Sequence, residues 1–178
     1  VYLDDESHSI DGRVDVICFP MTEDDIGTVL RAANEKGQAV TVQGGRTGLT
    51  GGAVPEGGIA LNLEKMNQLL YVRYIPEEDT YSIAAQSGVL LDDLVKAITS
   101  KNLGVLKGKG TKEQQAALDK FLGDRRVFYF PVDPTETSAW LGGIVACNAS
   151  GARTFRYGAV RNWVLRIRVS LPNGEMLD

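Results

Sequence analysis

Apolar positions at the start of the chain follow the order strand, helix, strand. Residues 14–19 are a short run rich in β-branched residues, which predicts a strand. Thr22 suits the N-cap of a helix whose apolar residues recur at helical spacing over residues 26–33, and Gly37 suits the left-handed position that ends it. Residues 39–42 predict a second strand. This order predicts a parallel pair of strands with a right-handed crossover.

Further apolar segments continue the mixture of strands and helices. Residues 59–63 and 80–85 predict strands, because each is a short apolar run. The apolar stripe over residues 90–98 predicts a helix that ends near Gly104.

The second half of the chain is more polar. Residues 105–126 are rich in lysine and carry a helical pattern around residues 114–122, and we interpret this segment as a surface insertion. Residues 138–146 are small and compatible with a helix. Residues 164–171 alternate between apolar and polar, which predicts a half-exposed strand, and a returning strand begins at Met176. The fold class predicted is α+β.

Composition excludes several classes of protein. The chain has 178 residues, of which 43% are hydrophobic and 24% charged, with a net charge of −4, as expected for one globular domain rather than a disordered segment. Basic residues are too dispersed to form a nucleic-acid surface. No apolar run approaches the ~18 residues that span a bilayer, and no secretory leader opens the chain. We therefore expect a cytoplasmic protein, with peripheral association at the inner membrane as the alternative.

Cysteine and histidine are too rare for most metal or triad chemistry. Cys18 and Cys147 lie far apart in apolar contexts, and His8 is the only histidine. A Cys/His metal site and a histidine-based triad within this chain are therefore not expected, and no metal ligand is assigned. We expect both cysteines to be reduced core residues.

Glycine is the outlier of the composition. Seven of the 20 glycines fall between Gly44 and Gly58, and the segment 43–52 follows a predicted strand directly. Such a loop can turn several backbone N–H groups toward one anion, and Thr47 and Thr50 add hydroxyl donors. A hairpin loop without a ligand is the alternative. Neither the Walker A pattern nor the Gly-x-Gly-x-x-Gly fingerprint of dinucleotide-binding folds occurs in the chain.

A second glycine-containing segment spans residues 131–153. It contains two prolines, several hydroxyl residues and the pair Gly142-Gly143. Small residues are what a close-fitting cofactor wall requires, although they also allow close packing between helices.

Together the two segments resemble one family. The first motif, over residues 44–55, reads Gly-Gly-Arg-Thr-Gly-Leu-Thr-Gly-Gly-Ala-Val-Pro. The second, over residues 133–153, reads Asp-Pro-Thr-Glu-x-Ser-Ala-x-Leu-Gly-Gly-x-x-Ala-x-Asn-Ala-Ser-Gly-Ala-Arg. Both resemble the FAD-binding domain of the vanillyl-alcohol-oxidase, or PCMH-type, flavoproteins, and most of all its D-lactate dehydrogenase and glycolate oxidase D-subunit branch. The resemblance covers the chain from Val14 onward.

The resemblance implies an architecture and a set of cofactor contacts. Residues 1–178 would form one PCMH-type FAD-binding domain made of two α/β subdomains, residues 14–75 and 78–178, with FAD between them. The first group of contacts would wrap the pyrophosphate with backbone amides, and the second would line the FAD, including its flavin ring. The first group is Gln43, Gly44, Gly45, Arg46, Thr47 and Gly48. The second is Pro131, Asp133, Thr137, Gly142, Gly143, Asn148, Gly151, Tyr157 and Gly158. For Asn148, a structural role in pinning the adjacent loop is an equal alternative.

Two residues modify what the family pattern implies. Arg46 stands where glycine is commonest, so a positive φ there would cost about 1 kcal/mol in backbone strain, although its charge could contact a phosphate. Members that bind FAD covalently use a histidine, and His8 matches no such site. We therefore expect noncovalent FAD.

The resemblance also implies an activity. FAD would accept a hydride from a 2-hydroxy acid of the D-lactate or glycolate type, and the electrons would pass to a quinone, a cytochrome, an electron-transfer flavoprotein or dioxygen. Family members continue into a substrate or cap domain, which we expect beyond Asp178 together with the catalytic base. Catalytic residues are therefore unassigned, and we expect the domain alone to bind FAD weakly or not at all.

Two alternatives stay open at this point. One is the FAD domain of another alcohol oxidase or of an ether-lipid synthase of the same superfamily. The other is a non-catalytic module with an empty flavin site.

Overall fold

The computed structural model describes residues 2–8, 11–134 and 136–178 of the chain. The strands in these ranges are β1 (Val16–Cys18), β2 (Val40–Gln43), β3 (Ile59–Asn62), β4 (Leu69–Ile75), β5 (Thr80–Ala85), β6 (Val169–Ser170) and β7 (Met176–Leu177). The α-helices are α1 (Glu23–Lys36), α2 (Leu91–Thr99), α3 (Lys112–Gly123), α4 (Leu141–Ala146) and α5 (Thr154–Tyr157). The predicted α+β class is confirmed.

Strands β1, β3 and β2 form a parallel sheet with β3 at its centre. Ile59 of β3 is the register partner of Val16 on one side and of Val40 on the other. The predicted direct pairing of the first two strands is therefore wrong, although both run parallel to the strand between them. β3 takes the central place because all four of its residues are buried, as is typical of a strand covered on both faces.

Helix α1 has the ends that the sequence predicts. The Thr22 hydroxyl accepts a hydrogen bond from the Asp25 N–H at 3.1 Å, and the Asp25 carboxylate accepts one from the Thr22 N–H at 2.9 Å. This capping box satisfies backbone donors at the helix start. Gly37 ends the helix at φ 62°, a left-handed conformation that glycine adopts without a Cβ clash.

Strands β4 and β5 pair antiparallel, and helix α3 packs against β4. Leu118 and Phe121 of α3 are each 1% exposed and pack with Val72 of β4. The interpretation of residues 105–126 as a surface insertion is therefore wrong, because α3 contributes an apolar face to the core. Lys112 and Lys120 of the same helix are exposed, which accounts for the polar composition of the segment.

The predicted strand over residues 164–171 is too long. Only Val169–Ser170 pairs, with Met176–Leu177. The preceding arginines instead extend into ion pairs: Arg166 with Asp178 at 2.6 Å and Arg168 with Glu23 at 2.8 Å. Leu165 and Ile167, which alternate with these arginines, are exposed as well, so the alternation does not mark a buried face. No strand of the described residues pairs with residues 164–168.

The cysteines do not belong to the core. Both are free; Cys18 is half-buried and Cys147 is exposed. The expectation of two core cysteines is wrong, because β1 lies at the edge of its sheet and Cys147 follows the last residue of the short helix α4. Within the described ranges, no helix is long and apolar enough to cross a bilayer.

Candidate functional site

The segment of residues 43–52, here the glycine loop, begins at the end of β2. Gln43 is completely buried, and its side-chain Nε2 donates hydrogen bonds of 2.8 Å to the carbonyls of Tyr2 and Ala53. Its Oε1 accepts a hydrogen bond from Asn62 Nδ2 at 3.4 Å. The Gln43 side chain therefore holds the two ends of the loop together, and its polar atoms are engaged within the protein.

The middle of the glycine loop has the opposite character. Among the described residues, the backbone N–H groups of residues 45–50 donate to no protein acceptor. Thr47 is half-buried and Gly48 is exposed. Consecutive N–H groups without a protein partner are what a loop needs to bind an anion such as a phosphate.

Arg46 occupies the strained conformation that its position in the sequence suggested. Its φ is 57°, in the left-handed region that glycine favours. Its guanidinium lies 5.0 Å from the centre of the Tyr2 ring, a cation–π arrangement, and its carbonyl accepts a hydrogen bond from the Glu6 N–H at 3.1 Å. The N-terminal residues therefore cover one side of the glycine loop.

The glycine loop meets the second predicted segment at the start of α4. A Cβ on Gly45 would lie 3.0 Å from the Ser138 carbonyl oxygen and 3.2 Å from Trp140 Cδ1. A Cβ on Gly44 would lie 3.9 Å from the Cα of Gly143. These distances leave no free space for a larger side chain at position 45. The structure thus brings Gly44, Gly45 and Gly143 together, and we call the surface around this contact of the two backbones the cradle.

Gly142 has a different neighbour. Its N–H donates to the Ser87 carbonyl at 2.7 Å, and a Cβ on Gly142 would lie 2.7 Å from the Ser87 Cβ. Ser87 lies in the turn between β5 and α2. Gly142 therefore serves close packing, the alternative that the sequence left open for the small residues of this segment.

Asp133 and Gly151 form a second close contact. A Cβ on Gly151 would overlap the Asp133 carbonyl, which also accepts a hydrogen bond from the Ala152 N–H at 3.2 Å. The Asp133 carboxylate pairs with Arg153 Nε at 3.2 Å. Pro131, two residues earlier, is half-buried. Glycine at 151 is explained by this contact alone. Thr135, in the same motif, lies outside the described residues.

The remaining predicted residues have contacts of their own. Asn148 adopts φ 46°, and its Oδ1 accepts a hydrogen bond from the Arg161 N–H at 3.2 Å, which matches the pinning role. The Thr137 carbonyl accepts one from the Asp92 N–H at 3.3 Å.

Tyr157 and Gly158 lie in an aromatic group. The Tyr157 hydroxyl is 2.9 Å from that of Tyr129, and this hydrogen bond raises the pKa of Tyr129. The Tyr157 ring also meets Trp163 edge-on, and Gly158 follows with φ 76°. Within the described residues, the hydrogen bonds and ring contacts of Tyr157 do not include the glycine loop.

One apolar cluster supports the whole second segment. It is formed by Leu91, Val132, Ala139, Ile144 and Val160. Val132 and Ile144 are sequence neighbours of the predicted site residues Asp133 and Gly143. The cluster therefore helps to fix the backbone that carries Asp133 and Gly143.

The sequence analysis did not assign three groups that contact the predicted site residues: Trp140, Ser87 and the N-terminal residues. A cavity of about 630 Å³ opens beside Trp140. Its lining includes Glu64, Leu69, Gly88, Asp93, Val105 and Lys109. Trp140 had a usable signal, since a lone large aromatic among small residues marks a wall. Ser87-Gly88 had one as well, because a Ser-Gly pair between a strand and a helix indicates a turn. In the structure a Cβ on Gly88 would meet the carbonyl oxygen of Met66 at 2.8 Å.

Comparisons with known proteins identify a family for this chain. The family described as FAD binding domain matches residues 14–111 and 113–178. A D-lactate dehydrogenase of Anaerostipes hadrus is 34% identical over 166 residues, which cover 93% of this chain and 29% of that protein. Glycolate oxidase subunit GlcD of Bacillus subtilis is 27% identical over 179 residues, which cover 99% of this chain and 32% of that subunit.

Solved structures share the fold. In 6-hydroxy-D-nicotine oxidase from Arthrobacter nicotinovorans, the TM-score is 0.69 at 19% identity, over 99% of this chain and 32% of that one. In an alkyldihydroxyacetonephosphate synthase, it is 0.65 at 17% identity, over 91% and 28%. The chain thus spans about a third of the length of the proteins that it matches.

Proposed function

The chain belongs to the FAD binding domain family, and we propose that it holds FAD between the glycine loop and the segment 131–158, as part of a flavin-linked oxidoreductase for 2-hydroxy acids. The observation that carries this proposal is the contact of Gly45 with Ser138 and Trp140, because it joins the two motifs into one cradle. The division into subdomains 14–75 and 78–178 is part of the proposal.

The pyrophosphate of FAD is assigned to the glycine loop. The N–H groups of residues 45–50 have no protein acceptor among the described residues, so they are available for phosphate oxygens. The Thr47 hydroxyl adds a donor. Gln43 contributes by closing the loop, since its own side chain is already engaged.

The second segment supplies the wall on the flavin side. Gly143 lies next to the glycine loop and presents backbone rather than a side chain. The other assigned residues are Pro131, Asp133, Thr137, Gly142, Asn148, Gly151, Tyr157 and Gly158. For Asp133, Gly151 and Asn148 the backbone contacts and hydrogen bonds support a role in shaping the wall, next to the cluster around Val132 and Ile144.

The substrate class rests on the relatives, a D-lactate dehydrogenase and a glycolate oxidase subunit. When bound, FAD supplies the acceptor for a hydride from the α-carbon of a 2-hydroxy acid. The residues of this chain bind and orient the cofactor and exclude water from the cradle. The electron acceptor of the whole protein would be a quinone, a cytochrome, an electron-transfer flavoprotein or dioxygen.

Noncovalent attachment is part of the proposal. His8 is the only histidine of the chain, and its Nδ1 lies 3.2 Å from the exposed carboxylate of Asp4. It lies in the N-terminal segment rather than in the second wall. We expect flavin to be released intact when the full-length protein is denatured.

The decisive experiment compares two glycine substitutions in the full-length protein. Gly45→Val places a branched side chain against Ser138 and Trp140, so bound flavin, measured by its visible absorbance, should fall below a tenth of the wild-type level. Gly104→Val is the matched control, because Gly104 is exposed with no atom within 4 Å of its Cβ position. Wild-type protein without flavin after FAD is added, or Gly45→Val protein with full flavin content, would sink the proposal.

A second measurement tests the substrate class. Adding D-lactate or glycolate to the flavin-loaded protein without an electron acceptor should bleach the flavin absorbance, and L-lactate should bleach it more slowly. If flavin is retained but neither acid bleaches it, FAD binding stands and the assignment to 2-hydroxy acids fails.

A further inference from the structure

We propose that residues 2–7, here the N-terminal brace, hold the glycine loop in its cofactor-ready shape before FAD arrives, and that Asp5 is the positioning residue. The inference rests on the proposed FAD site. It assigns a role to a segment that lies before residue 14, where the family match begins.

The brace contacts the loop at its neck. The Tyr2 carbonyl accepts a hydrogen bond of 2.8 Å from Gln43 Nε2, and the same nitrogen donates to Ala53. One buried amide group thereby ties together the brace, the first residue of the loop and the residue that follows its end.

The brace also contacts the middle of the loop. The Glu6 N–H donates to the Arg46 carbonyl at 3.1 Å, and the Arg46 guanidinium lies over the Tyr2 ring. The Tyr2 ring is itself fixed, because it meets the Phe19 ring edge-on at 5.3 Å and its hydroxyl donates to Glu64 at 3.1 Å. Arg46 is therefore held in its left-handed conformation by groups outside the loop.

Asp5 provides the third contact. It is only 4% exposed, and its Oδ1 accepts hydrogen bonds from the N–H and hydroxyl of Ser7. Its Oδ2 is buried without a hydrogen-bond partner among the described residues. Burial raises the pKa of Asp5, but the hydrogen bonds from Ser7 and the nearby N–H groups of Ala53 and Gly51 outweigh it and lower the pKa overall.

A buried carboxylate oxygen is costly unless donors are turned toward it. Asp5 therefore favours the loop conformation in which the N–H groups of Gly51 and Ala53 lie near its carboxylate. The chain turns at these residues, where the Val54 N–H donates to the Gly51 carbonyl at 3.1 Å, and among the described residues the N–H groups of residues 45–50 donate to no protein acceptor.

Five glycines in the ten residues 43–52 make this loop expensive to order, because glycine loses the most conformational freedom on folding. If the loop were disordered without FAD, part of the binding free energy would be consumed in ordering it. A loop already fixed by the brace avoids that loss, which is the general benefit of preorganisation.

The test replaces Asp5 and its neighbour by their amides in the full-length protein. Asp5→Asn keeps the shape but turns an NH₂ group or a neutral oxygen toward the loop amides, so the Kd for FAD, measured by flavin fluorescence titration, should rise about tenfold, which corresponds to about 1.4 kcal/mol. Asp4→Asn is the matched control: it makes the same charge change at an exposed side chain that contacts only His8 among the described residues. A Kd within twofold of wild type for Asp5→Asn would overturn the proposal.

Amide hydrogen exchange separates a positioning role from a general structural one. In the wild-type protein without FAD, the amides of Gly51 and Ala53 should be protected while those of residues 45–50 exchange freely. In Asp5→Asn, protection at Gly51 and Ala53 should disappear while β3 keeps its protection. Ser7→Ala, which removes only the hydroxyl that supports Asp5, should give an intermediate loss and serves if Asp5→Asn does not fold.

The outcomes also distinguish this proposal from the proposed function. If Gly45→Val loses FAD but Asp5→Asn binds it normally, the cradle stands and the brace is wrong. If Gly45→Val binds FAD normally, the site itself is misplaced. Unprotected amides at Gly51 and Ala53 in the wild-type protein contradict the brace whatever the affinities are.

Discussion

Gln43 and Asn62 lie side by side at the ends of β2 and β3, both completely buried, with the Asn62 amide donating to Gln43 Oε1 at 3.4 Å. They are register partners in the parallel sheet. Buried polar side chains are tolerated only where their hydrogen bonds are made, and the Asn62 Oδ1 also accepts one from the Glu64 N–H at 3.0 Å. The sheet therefore ends in a polar pair that fixes the loops on both strands.

Replacing Gln43 should destabilise the fold. Gln43→Met has a similar volume but leaves the carbonyls of Tyr2 and Ala53 without their donor, so the free energy of unfolding should fall by about 2 kcal/mol. Urea denaturation measures it. Gln38→Met is the control, because Gln38 is exposed, and its effect should stay within about 0.5 kcal/mol. Equal effects at the two positions would contradict the role given to Gln43.

Arg46 should tolerate glycine better than a β-branched residue. Its φ of 57° favours glycine, whereas valine there is strained, so in the absence of FAD Arg46→Val should be less stable than Arg46→Gly by about 1–2 kcal/mol. Thermal unfolding gives the difference.

The control for this prediction is Arg73, an exposed residue of β4. There valine should be more stable than glycine, because strands favour β-branched residues and glycine weakens them. The prediction fails if the order of stability of the valine and glycine variants is the same at positions 46 and 73.

The ion-pair network around Arg126 should give stability that depends on pH. Hydrogen bonds from Arg126 hold the pKa of Asp124 far below its ordinary value of 3.8, and Arg126 also pairs with Asp79 at 2.9 Å. A lowered pKa adds stability above the pKa of the unfolded chain, and that stability is lost as the pH falls toward the folded pKa. The advantage of wild type over Arg126→Gln should therefore be constant above about pH 5 and decline steadily below it.

Denaturant midpoints measured from pH 7 down to pH 2 check this dependence. Arg125→Gln provides the comparison, since it removes the same charge from an exposed neighbouring side chain. Its difference from wild type should not vary with pH in this way. A pH-independent difference for Arg126→Gln would show that the network contributes nothing through Asp124.

Local sequence signals predicted the local elements well. Helix α1 is present with its predicted caps at Thr22 and Gly37, because periodicity and capping act over a few residues. Helix α2 starts as the apolar stripe predicts but ends at Thr99, earlier than the predicted end near Gly104. Strands β3 and β5 are present as predicted. The central place of β3 was not predicted, because strand order depends on which of three strands is buried on both faces, and this is a property of the whole sheet.

Long-range contacts explain the rest. Helix α3 has a polar composition, and the burial of Leu118 and Phe121 follows from their packing against β4, which the sequence pattern of α3 does not contain. In the candidate site, the glycine motif indicated an anion loop, but only the structure shows that Gly45 lies against Trp140 and that Gly151 is required by Asp133. Glycine content cannot by itself distinguish a ligand contact from a close approach of two backbones.

The position of the brace has a practical consequence for the choice of boundaries when this domain is expressed alone. The family match starts at residue 14, so a gene fragment trimmed to that boundary would keep every strand and helix yet discard Tyr2, Asp5 and Glu6. Such a fragment would retain the secondary structure seen by circular dichroism, but its glycine loop would lack the contacts of the brace. An expressed fragment should therefore include the residues upstream of the family match. Without them, a preparation that lacks cofactor does not show that the domain is unable to bind it.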